Sequence, residues 1–87
     1  MNPDCALRMS FIRVFRTEVD ACRVALWLHG AFSLHRDERV LFSVGSWKNA
    51  SENFAVKMIS SEDEWESAND HALRILPDAI AECGRMR

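Results

Sequence analysis

Between Ser61 and Gly84 the chain reads SEDEWESANDHALRILPDAIAECG, and this stretch limits what the remainder can fold into. Ser61 followed by Glu64 has capping-box spacing, which gives otherwise unpaired backbone N–H groups at a helix start a hydroxyl and a carboxylate. Glu62, Asp63 and Glu64 crowd the positive end of the helix dipole. Trp65, Ala68, Ala72, Ile75, Leu76, Ala79, Ile80 and Cys83 recur at steps of three and four, so they share one face. The spacing predicts a helix over about 62–83 that needs an apolar surface to lie on. Pro77 removes one backbone donor inside it, so a kink or a restart at Asp78 is expected.

That surface must come from the other sixty-three residues. FIRVFR, Phe11 to Arg16, is rich in β-branched and aromatic residues and reads as a strand whose alternation is imperfect. Met1 to Leu7 shows no period and is expected to be a loosely held terminus. Thr17 and Asp20 repeat the capping spacing, His29 falls in a last turn, and Gly30 stands where a left-handed cap belongs, which predicts a helix over about 18–29. Val19, Cys22 and Leu26 are its expected inward stripe. Val24, Trp27 and Leu28 make it apolar nearly all round, which implies deep burial or a contact between chains. Val24, Leu26 and Leu28 also alternate as a strand would, and no Gly or Pro divides Asp4 from His29, so a strand or one longer helix stays open.

Beyond Gly30, Phe32 and Leu34 alternate with polar neighbours, HRDE supplies a polar turn, and Val40, Phe42 and Val44 alternate again, as in a hairpin. GSWKNASE then turns the chain into a strand over Phe54 to Ile59. The expected fold is a single α+β domain over residues 1–87. It is a small two-layer unit in which an antiparallel sheet of three to four strands carries two helices on one face. Leu41 and Ile59 are apolar on the sheet's second face, so a covering chain, and with it a homodimer, is expected.

Composition narrows the functional classes. Eighty-seven residues form one modest core, and 48% apolar with 28% charged residues describes a folded chain. The formal charge is -2, with six Arg against five acids in the first forty residues, so no strongly basic field drives nucleic-acid binding. Cys5, Cys22 and Cys83 are widely spaced and form no CxxC pair, which fits reduced thiols in a cytoplasmic protein. The longest apolar run, Val24 to Leu28, is too short to span a bilayer. No GxGxxG, GKS, GKT or GxSxG occurs, and no cofactor is expected.

The candidate chemistry is sparse. His29, His35 and His71 with Cys22 and Cys83 match no usual spacing of metal-ligand pairs, and core packing is the expected role of the two thiols. Trp47 is the residue that points to function, because a large aromatic among Gly, Ser and Asn in a loop either folds back on the sheet or anchors a partner. With Lys48 beside it and the acidic run Glu62, Asp63, Glu64 and Glu66 as a second surface, it gives the expected partner-binding residues. The expected function is a non-enzymatic protein-binding module acting by steric or surface-mimicking contact, of the inhibitor, immunity or phage anti-defence type. Two alternatives are a nucleic-acid-associated regulator using Arg8, Arg13, Arg16 and Arg23, and a small Cys/His thiol enzyme.

Overall fold

In the computed structural model, which describes residues 6–35, 40–47 and 50–85, five elements follow one another. They are β1 (Leu7–Phe15), α1 (Glu18–His35), β2 (Leu41–Trp47), β3 (Ala50–Ser61) and α2 (Glu62–Arg85). The sheet order is β1-β3-β2, with β3 antiparallel to both neighbours. β1 and β2 therefore run parallel with β3 inserted between them, a split β-α-β unit that α1 closes. α1 lies mainly over β2 and β3, α2 over β3 and β1, and the helices pack on each other. The expected α+β class, with three antiparallel strands and two helices on one face, is the one observed.

Each helix starts for a local reason. The Asp20 N–H donates to Thr17 Oγ1 at 3.1 Å, as the first capping spacing requires. At α2 the Ser61 hydroxyl donates to the Glu64 carboxylate at 3.2 Å, and the Glu62 N–H reaches the Ala6 carbonyl at 3.1 Å. The first N–H of α2 is thus satisfied by Ala6, the residue before β1. β1 begins at Leu7, four residues before the expected strand. Its imperfect alternation is the trace of a register shift between Phe11 and Arg13, where Ile12 is bulged inward.

The largest departure from expectation is in α1, which runs six residues past its expected end at 29. Gly30 sits inside the helix, and the expected strand at Phe32 and Leu34, with its hairpin, does not form. The reason is Phe32, which is fully buried and meets Phe42 and His71 edge to face at ring-centroid distances of 5.2 and 5.1 Å. Burying a phenylalanine is worth about 1.5–3 kcal/mol, whereas a mid-helix glycine costs about 1 kcal/mol, so continuation wins. The inward stripe is accordingly Ala21, Val24, Ala25, Leu28 and Phe32. Val19, Cys22 and Leu26, expected inside, face outward.

α2 buries Ala68, Ala72, Leu76, Ala79 and Cys83, with Trp65, Ile75 and Ile80 at the margin of the core, as its periodicity requires. It passes through the exposed Pro77 without a restart at Asp78. These faces meet Ile12, Val40, Val56 and Met58 from the sheet side to make one core. Neither α1 nor α2 is long and apolar enough to cross a membrane.

Candidate protein-binding surface

Strand alternation decides what the sheet shows to the side without helices. Val56 and Met58 point into the core, so Ala55, Lys57 and Ile59 point away from it. Pairing then sets Met9, Ile59 and Leu41 in one row across all three strands, and Phe11, Lys57 and Ser43 in the next. Leu7, Met9, Phe11 and Leu41 are exposed on this face, with Leu7 at 71% and Met9 at 57%. Cα extents of 44 × 31 × 16 Å describe two layers and no third. Among the described residues, no element covers this side of the sheet.

Trp47 belongs to this face. It is the last residue of β2, not a loop residue, and its ring folds back on Phe11 at 4.8 Å between centroids. Gly45 and Val14 flank Ala55, which is fully buried yet outside the helix-side core. The Phe11–Trp47 pair is the bulky apolar cover available to it on the outer side. Folding back and facing a partner are therefore compatible here, because the surface that Trp47 joins is itself open. Lys48 lies outside the described residues.

The acidic run is elsewhere. β3 is 12 residues long, which at about 3.3 Å per residue separates the Trp47 end of the sheet from the start of α2 by roughly 35–40 Å. Glu62 pairs with Arg8 at 3.0 Å, the Glu64 carboxylate takes the Ser61 hydroxyl, and Asp63 and Glu66 are exposed. The expected partner-binding residues thus form two separate surfaces. Leu7, Met9 and Phe11 were legible as an alternating trio around Arg8 and Ser10, and starting the strand at Phe11 hid them.

The arginine cluster is divided in the same way. The Arg8 guanidinium lies 3.7 Å over the Trp65 ring, a cation–π contact, in addition to its ion pair with Glu62. Trp65 Nε1 is buried and has no hydrogen-bond partner among the described residues, so the ring is held by packing and by Arg8. Arg13 and Arg16 line a separate cleft of about 370 Å³ whose walls include Asp20, Ile80 and Cys83. Arg8 is thus set apart from Arg13 and Arg16, whereas Arg23 acts on Cys83, a wall of their cleft.

The two described thiols differ. Burial pushes the Cys83 thiol up from its usual value, Arg23 opposes this, and Glu82 and Asp20 add to it. A thiol kept protonated in a core is a poor nucleophile. Cys22, expected to be buried, is exposed on α1. No three His, Cys, Asp or Glu side chains come together as a metal site among the described residues. Comparison of the chain with protein-family models, with curated proteins and with solved structures gave no match.

Proposed function

We propose that this protein is a non-enzymatic protein-binding module that engages its partner through the open face of the sheet, and that it works as a homodimer. The observation that carries the first part is the uncovered apolar surface of Leu7, Met9, Phe11, Leu41 and Trp47 on a two-layer domain. Contiguous apolar surface of this kind, rimmed by polar residues, is where soluble proteins meet partners. Aromatic side chains such as Trp47 are enriched at the centres of such contacts.

Lys57 gives the partner a chemistry. It stands on the central strand between Phe11 and Ser43, and no carboxylate shares that cross-strand row. A covering surface that is apolar and carries one acidic side chain opposite Lys57 fits this face, since an ammonium shut off from water costs several kcal/mol unless paired. Stacking two copies face to face would bring Lys57 toward its own copy, so self-association is the poorer use of this side.

The test is capture of binding proteins from the host lysate by tagged wild-type chain, Met9→Lys, Trp47→Ala and a control, Asp78→Lys, on exposed α2. A protein retained by wild type and by the control, and lost with Met9→Lys and Trp47→Ala, is the expected result. Equal retention by all four would remove the sheet face from the site.

A further inference from the structure

The outward stripe of α1 forms a groove with the outer edge of β2, which pairs with no strand among the described residues. Cys22, Leu26 and His29 stand on one wall and Leu41, Phe42 and Val44 on the other, enclosing about 520 Å³. Leu26 is 69% exposed, and Val19, one turn before Cys22, is 58% exposed. Resting on the homodimer part of the proposed function, we infer that a second copy of this chain fills this groove. In that dimer β2 pairs with its own copy to make one six-stranded sheet.

Three observations select this edge and this occupant. First, the two sheet edges are guarded unequally. β1 carries Arg8, Arg13 and a bulge at Ile12, devices that discourage strand addition. β2 reads LFSVGSW, with no charge and no proline along seven residues. An unguarded edge with free backbone donors and acceptors is a template for another strand. Second, α1 is apolar on both sides. Its buried stripe already faces the sheet and α2, so among the described residues Val19, Cys22 and Leu26 add nothing to the core. An extended peptide would satisfy the β2 edge, whereas a copy brings an apolar helix stripe as well.

Third, the charges permit a two-fold axis here and oppose one on the open face. Antiparallel β2–β2 pairing centred near Val44, the middle of the strand, sets neutral residues against neutral residues and brings the two Leu26 stripes together above the new strand pair. Such an isologous contact is self-complementary and closes at two chains, which removes the aggregation hazard of the edge. It also joins the two open sheet faces into one continuous apolar platform, extended across Leu41 of each copy.

Light scattering after size exclusion, on the full chain at micromolar concentration, tests this. Wild type should run at twice the 10.0 kDa of one chain. Leu26→Lys, and independently Cys22→Lys, should raise the dimer dissociation constant at least tenfold while leaving the far-ultraviolet circular dichroism unchanged, since both side chains are exposed. Met9→Lys, on the open face, should remain dimeric. A wild type that stays monomeric at high micromolar concentration overturns both the dimer and its interface. A wild-type dimer that Met9→Lys dissociates, or that both α1 variants leave intact, overturns the β2 interface while the dimer itself stands.

Discussion

Replacing Gly30 by alanine separates two accounts of the middle of this chain by sign. If Gly30 ended a helix in the left-handed conformation, a Cβ would add about 1 kcal/mol or more of strain and the domain would melt earlier. In the structure Gly30 lies within α1, its backbone is not left-handed, and a Cβ built on it meets nothing within 4 Å. The substitution therefore removes the helix penalty of glycine without a clash, a gain of about 0.8–1.0 kcal/mol. For a domain of 60–100 residues this corresponds to a rise in melting temperature of about 4–8 °C. Thermal and urea melts at one fixed protein concentration measure it, and the urea midpoint should rise without a change of slope. A lower midpoint in both melts would refute the reasoning and restore a helix end at Gly30.

The two helix caps should respond unequally. Thr17→Ala removes an acceptor of a backbone N–H and should cost about 1 kcal/mol, whereas Ser61→Ala should cost about half as much in the same melts, because the Glu62 N–H keeps the Ala6 carbonyl. Trp47→Ala should lower stability by about 1–2 kcal/mol, the loss of a half-buried ring and its aromatic pair, and not the 3–5 kcal/mol of a core truncation. Cys83 should make the domain less stable as pH rises past the ordinary thiol range of about 8.5, and Cys83→Ala should lack that slope. The sign follows from linkage: burial raises the folded-state pKa, so the unfolded chain loses its proton first and alkali favours unfolding. A melting temperature that falls equally in both proteins above that range would refute it.

What the sequence made legible and what it hid follow from one distinction. α2 is polar on one side, so its apolar stripe names its buried face without ambiguity, and every residue of that stripe packs in or against the core. α1 has two apolar stripes, and helical spacing alone does not say which of them the sheet will take. Gly30 and His29 make a local end signal that is sound as a signal and weaker than the burial of Phe32. The strand order β1-β3-β2 was hidden by the same residues, because a helix through 35 carries the chain past β3's position and a hairpin at 32–44 would not. Trp47 was legible as a candidate, but its setting was not, since Phe11 lies thirty-six positions away in sequence and meets it only once β1 and β2 flank β3.

The two apolar surfaces of this domain are best understood through what each would do to a partner's charge. Lys57 sits near the middle of the open face, and a second copy laid there would meet the same charge. The groove beside α1 is lined by Cys22, Leu26, His29, Leu41, Phe42 and Val44, and no carboxylate or ammonium is among its walls. A single domain of this size does not need both surfaces for stability, since α2, the inner side of α1 and the sheet already close one core. Mutations at Leu26 should therefore change oligomeric state with little effect on the fold. Mutations at Met9 or Lys57 should change what binds the sheet, and reversing the charge with Lys57→Glu should exchange an acid-bearing partner for none. Partner capture by Lys57→Glu equal to that by wild type would show that the lysine lies outside the contact.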